Sequence, residues 1–495
     1  MLCSLPPLRG EESITDCLTE FQGIINGERG GKMSQPKLLV FMIDALCESD
    51  ITHMRTLKHF GWMLENGALV REMLPVYPSF TYPCHVSIMT GCYPDKHGIP
   101  HNEQVKAGVH PVPWYTSRKL VKKKFFAEYA KEHGFSTCLV NWPVSAGADV
   151  DINLPMCMPM SYRGDDPRQF FEGVSSEDAL NRYFWKYGYL LCGCNKVLNG
   201  SLDDFTNAVS PDIIRDYGQP DVMFVKMCDL DTVRHKLGVD SDTAKLQLEK
   251  HDCELGVLME SIRRYGDFEH TNFVVMGDHG QTDVSQVLNF NRAFQNAGLQ
   301  RLDENGKLES FDAYCHSTGA SGWIELRDPN DASLRERVYR FLLDAKESGK
   351  YGLGYVFTKE EAKAQFHLDG PFDFIIEGDQ PLSFGYDPAA PLFTPTAPGD
   401  YKTAPGTHGG LPWRDHRTTF FACGPAFEKG AVIDRACIVD EAPTLAKIFG
   451  FEMEDIDGHC LDALLKKADS AFGIKNLFSL IPTRFEISLI FVREI

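Results

Sequence analysis

The chain alternates between short, continuous apolar runs and longer stretches in which apolar residues recur at helical spacing. The first run, Leu38-Leu39-Val40-Phe41-Met42-Ile43, follows Lys37 and stops at Asp44, which is the pattern of a strand buried on both faces of a parallel sheet. Runs of the same kind return at 222–225 and 273–276. Between them Leu248, Leu255, Met259 and Ile262 repeat at helical spacing across 242–265, with Gly266 just beyond, so a strand-helix-strand unit is predicted. Further strands are predicted at 69–75, 136–141 and 418–423, and helices over 51–66, 118–133, 332–343, 443–449 and 459–467. Another helix has Pro83 in its first turn, where the missing N–H costs little, and runs through Val86, Ile88 and Met89 to Gly91.

These elements predict an α/β fold with a mostly parallel central sheet, helices on both faces and an inserted smaller subdomain. The expected organisation is an N-terminal arm at 1–32, a core at 33–299, the inserted subdomain at 300–400, completion of the core at 401–468 and a C-terminal docking tail at 469–495. The aromatic-rich stretch 155–220, with Tyr183, Phe184, Trp185, Tyr187 and Tyr189, reads as core rather than as a cap over a substrate. The Gly27-Glu28-Arg29-Gly30-Gly31-Lys32 segment suits the purine-rich codons of a translated ribosome-binding site, which makes Met33 the expected natural start. An ordinary arm is the alternative.

Composition narrows the function classes. With 43% hydrophobic and 24% charged residues in 495, the chain has an ordinary globular composition. Its 50 basic and 69 acidic residues give a net charge of −19, which argues against a nucleic-acid surface or an anionic membrane as partner. No run of about 18 apolar residues is present, and no signal-peptide pattern begins the chain. The 15 cysteines follow no framework spacing, and the Cys192-Gly193-Cys194 pair has no second pair to complete a zinc site. Reduced core cysteines and a cytoplasmic location are therefore expected; the oligomeric state is left open.

The candidate chemistry gathers at predicted strand ends. Asp44 closes the first strand, Asp231 stands four residues before His235, Asp278 is followed by His279, and His408 lies in Gly406-Thr407-His408-Gly409-Gly410. Aspartate and histidine are ligand types that zinc prefers, and all six side chains are expected in loops at one edge of the sheet. The flanking glycines are expected to let the backbone bend and a ligand approach. In Pro78-Ser79-Phe80-Thr81-Tyr82-Pro83-Cys84-His85 the hydroxyl of Thr81 stands at a helix start, where free N–H groups and the dipole favour an anion.

Together these segments resemble the nucleotide pyrophosphatase/phosphodiesterase family of the alkaline phosphatase superfamily. The segment from Thr81 to His85 and the following Met89-Thr90-Gly91-Cys92-Tyr93-Pro94-Asp95-Lys96-His97-Gly98-Ile99 are similar to its nucleophile motif. The Asp231–His235, Gly277-Asp278-His279-Gly280 and Gly406-Thr407-His408-Gly409 stretches resemble its later metal motifs, and the likeness runs from about Lys37 to Leu464. The resemblance implies an alkaline-phosphatase-like core and two zinc ions, with manganese or iron as alternatives. One ion would be held by Asp231, His235 and His408, the other by Asp44, Asp278, His279 and the Thr81 oxygen. It further implies Thr81 as nucleophile of a phospho-threonine intermediate, Asn102 as donor to a phosphoryl oxygen, and Tyr82 as an aromatic against the leaving group of a small phosphate-ester or nucleotide-like substrate. Cys84 replaces a common Asn, and His101 an acidic residue, so the substrate pocket is expected to differ.

Phosphonoacetate hydrolysis or phosphomonoester hydrolysis on the same centre are the alternative activities. No arginine near the nucleophile motif marks a monoesterase, and Cys84 is followed by His85-Val86 rather than by a sulfatase motif. A catalytically silent metal-binding scaffold is the alternative from a different class.

Overall fold

The computed structural model describes residues 35–467 apart from 160, 161, 163, 165, 193–199, 415 and 416. The expected arm at 1–32, the docking tail at 469–495 and Gly193-Cys194 lie outside the described residues. The predicted apolar runs pair into one sheet: β1 (Lys37–Ile43), β2 (Ala68–Leu74), β3 (Thr137–Pro143), β4 (Ile152–Met156), β5 (Val222–Met227), β6 (Thr271–Gly277), β7 (Thr418–Cys423) and β8 (Val432–Cys437). Their order is β8-β2-β7-β6-β1-β5-β3-β4. Only β7 runs antiparallel to its neighbours, β2 and β6; β1 lies parallel between β5 and β6.

Register explains why both faces are apolar. Val40 pairs with Phe224, so Phe224 and the next β1 residue, Phe41, point to opposite faces. Phe224 meets Phe126 at 5.9 Å, whereas Phe41 meets His251 of the long helix on the other side at 6.3 Å. The helices that matter below are α1 (Thr81–Thr90), α2 (Asp229–Leu237), α3 (Asp242–Tyr265) and α4 (Glu441–Phe449). A second apolar cluster, including Leu288, Phe290, Ile324, Val338 and Phe374, fills a smaller antiparallel sheet built from strands within 313–378. A third cluster joins Trp323 and Ile375 of that sheet to Tyr77 before α1 and Leu411 after His408, and so braces two loops of the site.

Several predicted helices are broken by side chains that take over backbone partners. Residues 51–66 form two helices, Ile51–Met54 and Lys58–Asn66, and Thr56 Oγ1 donates back to His53 O at 2.7 Å in the gap. Residues 118–133 are helical only as a turn at Arg118–Leu120 and a helix at Phe126–Glu132. The Arg118 guanidinium donates to Val121 O and Lys123 O and pins the intervening basic run as a loop. At 459–467 only a 3-10 turn forms, Asp462–Leu464, because His459 N–H goes to the Asp440 carboxylate and Leu461 N–H to Thr444 Oγ1. The aromatic stretch is core on one face alone: Tyr183 and Phe184 are buried, while Trp185 is 92% exposed and Tyr189 68%. Among the described residues no helix is long and apolar enough to cross a membrane.

Candidate active site

Parallel register brings the first two carboxylates together. Ile43 pairs with Gly277, so the residues that follow, Asp44 and Asp278, emerge side by side at the same sheet edge. Gly277 is needed there because a Cβ would come within 2.1 Å of Thr418 Oγ1. Gly409 (φ +94°) likewise passes so close to Thr318 O that a Cβ would lie 2.1 Å away. These glycines therefore admit neighbouring protein backbone and side chains rather than a ligand. Asp231 and His235 are placed on the helix α2, not in a loop, one turn apart, with His235 Nε2 3.2 Å from Asp231 Oδ1.

The ligand atoms of Asp44, Asp278 and His279 all lie within 4.8 Å of one another, and so do those of Asp231, His279 and His408. His279 belongs to both trios; its Nε2 is 3.6 Å from Asp44 Oδ1 and 3.3 Å from Asp278 Oδ2. The Nδ1 atoms of His235, His279 and His408 lie 2.7, 3.1 and 2.9 Å from the carbonyl oxygens of Gly406, Gly280 and Ser79. A carbonyl only accepts, so each Nδ1 carries the proton and each Nε2 lone pair is left for the cluster. Asp44 Oδ1, Asp278 Oδ2 and His235 Nε2 are buried without a hydrogen-bond partner. Such orphaned acceptors beside three imidazole lone pairs fit a pair of divalent cations.

The electrostatics carry the same message. Burial, and then the Asp278 charge, push the Asp44 carboxyl well above the usual range even though the Lys226 ammonium opposes them. Burial works against ionised Asp231 too, but His235, with His408 and His279, holds it low. Burial and the neighbouring His279 push His408 well down, toward the neutral form that ligates. Gln281 Nε2 donates to Asp231 Oδ1 at 2.6 Å and fixes that carboxylate.

Thr81 is the first residue of α1, and its Oγ1 stands 3.3 Å from His279 Nε2. Ser79 ties this helix start to the His408 loop by accepting from Gly409 N at 2.9 Å and donating to Gly410 O at 3.2 Å. The Tyr82 N–H is not free for an anion: it donates to Asn102 Oδ1 at 2.9 Å, which leaves the Asn102 amide N–H groups as the donors. Tyr82 itself is only 3% exposed, covered edge-on by Trp114 at 5.2 Å. Two half-buried rings lie beside the site, Trp114 against Tyr82 and Tyr401 against His235, 5.9 Å from each other. Both residues that depart from the resembling motif are buried. Cys84 has no exposure, and His101 is packed between Phe80 and Trp323 at 4.8 and 5.2 Å.

Three residues that the sequence reading passed over support the site. Lys226, on β5 and fully buried, donates to Asp44 Oδ2 at 2.6 Å. Arg234, between Asp231 and His235, is 1% exposed, pairs with Asp50 at 2.6 Å and donates to Ala45 O just beyond Asp44. Lys402 pairs with Glu103 at 2.5 Å beside Asn102. A lysine inside an otherwise apolar strand was the legible signal for the first of these.

The family model described as type I phosphodiesterase / nucleotide pyrophosphatase matches residues 38–409. The bis(5'-adenosyl)-triphosphatase ENPP4 of Homo sapiens is 25% identical over 276 residues, which cover 54% of this chain and 52% of that protein. The chain thus spans about half the length of this relative. The ectonucleotide pyrophosphatase/phosphodiesterase family member 7 of Rattus norvegicus is 21% identical over 449 residues, 86% of each chain. Among solved structures, an inactive variant of murine ectonucleotide pyrophosphatase / phosphodiesterase 5 in complex with AMP superposes with a TM-score of 0.62 at 18% identity, over 87% of this chain and 100% of that one. This likeness bears on the fold.

Proposed function

The chain belongs to the type I phosphodiesterase/nucleotide pyrophosphatase family, and from that premise we propose that it is a metal-dependent hydrolase of phosphodiesters or nucleotide pyrophosphates with Thr81 as nucleophile. The observation that carries this reading is Thr81 Oγ1 lying 3.3 Å from Nε2 of His279, the residue common to both ligand trios. Asp44, Asp278 and His279 would hold one zinc ion, and Asp231, His408 and His235 the other. Bound there, zinc supplies the Lewis-acid charge that makes a threonine hydroxyl ionise near neutral pH and that offsets charge on the phosphoryl and leaving oxygens.

The residues of the chain account for the remaining roles. Thr81 is held at the helix start, ready for in-line attack, so that its oxygen forms a bond to phosphorus as the bond to the leaving oxygen breaks. The Asn102 amide, fixed through its Oδ1, offers its N–H to a non-bridging oxygen as charge accumulates there. Water then attacks the phospho-threonine, breaks its P–O bond and regenerates Thr81. Trp114 and Tyr401, rather than the covered Tyr82, present aromatic surface toward the leaving group. The name of the human relative, a bis(5'-adenosyl)-triphosphatase, and the AMP in the murine structure support a nucleotide-like substrate.

The test is hydrolysis of p-nitrophenyl thymidine monophosphate beside p-nitrophenyl phosphate and phosphonoacetate, with zinc-loaded and chelator-stripped protein. A chelator-sensitive preference for the diester is expected. Preference for either other compound keeps the metal centre and replaces the substrate class.

A further inference from the structure

Of the six candidate metal ligands, only Asp44 is ion-paired with a lysine or arginine among the described residues. We propose that Lys226 is a built-in counter-ion that shares Asp44 with the metal centre, weakening the hold on the cation and stabilising the pocket when no cation is bound. This inference rests on the metal-centre reading above.

The pocket gathers the carboxylates of Asp44, Asp231 and Asp278, all within ion-pair distance of an imidazole and all largely shielded from solvent. The imidazoles that face them carry their protons on Nδ1, toward backbone carbonyls, so they bring no charge of their own when neutral. Lys226 supplies the positive charge. Its Nζ has no exposure and meets Asp44 Oδ2 at 2.6 Å, Cys228 Sγ at 3.0 Å and Met156 Sδ at 3.7 Å. Sulfur is a weak acceptor, so among the described residues the carboxylate is the one strong partner of a charge that is costly to bury alone. The lysine is also rigidly placed, because β5 pairs it with Met42 in the sheet interior and Asn141 Nδ2 donates to its carbonyl at 2.9 Å.

The sign of the effect follows from this geometry. An acceptor that hydrogen-bonds a ligand makes it more basic and tightens metal binding. An ammonium does the opposite, since it draws charge from the shared carboxylate and repels a cation on the other oxygen. With Oδ2 taken, Asp44 offers only Oδ1, the atom left without a partner.

The experiment is a zinc titration of the full chain against a chromophoric competitor, with melting of the zinc-free protein, for wild type, Lys226→Met and Lys226→Gln. Both variants should bind zinc roughly ten- to a hundredfold more tightly, in line with the reach of residues behind a metal ligand. Both should melt below wild type when zinc-free, and zinc should close that gap. Glutamine keeps a donor toward Asp44 without the charge, so it serves even where methionine prevents folding. Wild-type affinity in Lys226→Gln with weaker binding in Lys226→Met would mean that Lys226 only orients Asp44, and overturns the counter-ion. Unchanged or weaker binding in both variants overturns it as well. A wild-type protein that takes up no zinc refutes the metal-centre reading itself and this inference with it.

Discussion

The imidazole of His279 lies stacked on that of His408, with ring centroids 4.0 Å apart and planes inclined by 21°. This contact joins the two ligand trios, because the Nε2 of His279 is close to Asp44 and Asp278 on one side and shares the other trio with Asp231 and His408. His235, by contrast, touches only Asp231 among the carboxylates of the described residues. Replacing His279 by alanine should therefore strip the zinc held with Asp44 and Asp278 and, by removing the ring stacked on His408, weaken the other, whereas His235→Ala should weaken one. Metal analysis after gel filtration distinguishes them; equal losses in the two variants would contradict the sharing of His279.

Thr81 offers a sharper separation of chemistry from binding. Thr81 is 7% exposed at the helix start, and among the described residues its hydroxyl has His279 as its hydrogen-bonding side chain. Thr81→Ala should lower diester turnover by at least about a thousandfold, as loss of an activated nucleophile does, while leaving the zinc content intact. Full activity in the variant would remove Thr81 from the mechanism.

Asn102 Oδ1 accepts from the N–H of Tyr82, and its amide N–H lies against the Tyr401 hydroxyl, from which it can turn to a phosphoryl oxygen. Asn102→Ala should reduce kcat by about 10²–10³ with a smaller change in KM, the mark of a contact that strengthens in the transition state. It should also cost about 1–3 kcal/mol of stability, since the Tyr82 N–H loses its acceptor in a buried place. Steady-state kinetics and thermal melts read the two effects independently.

Much of this arrangement was legible in the chain, because parallel strands buried on both faces must be written as continuous apolar runs, and Asp44 and Asp278 follow two of them directly. Periodicity also marked the 242–265 helix to the residue. What periodicity could not carry was the reach of single side chains across long separations. Arg118 folding back on its own loop broke one predicted helix, and Asp440 with Thr444 captured the backbone donors of another. The pairing of Lys226 with Asp44 spans 182 positions, and that of Arg234 with Asp50 spans 184. The resemblance implies a substrate role for Tyr82, whereas whether its ring faces solvent depends on Trp114, which belongs to a separate loop.

Glu377 gives a prediction about pH with a definite sign. It lies on the strand Phe374–Gly378, is 2% exposed, and burial pushes its carboxyl from 4.5 up to about 8, with the Tyr77 hydroxyl, Arg414 and the Leu411 backbone opposing the shift. A carboxyl whose pKa is raised by folding keeps its proton in the native state while the unfolded chain has already released it. Its contribution to stability is therefore fully present below about pH 4.5 and is lost as pH rises toward about 8. Glu377→Gln mimics the protonated side chain and does not ionise. Melting curves of the two proteins should nearly coincide at pH 5, and the variant should melt a few degrees higher at pH 8.5. Other groups titrate equally in both proteins, so the difference between the curves isolates Glu377. Parallel curves across this range would mean that Glu377 is ionised in the native protein, with Arg414 rather than burial setting its charge.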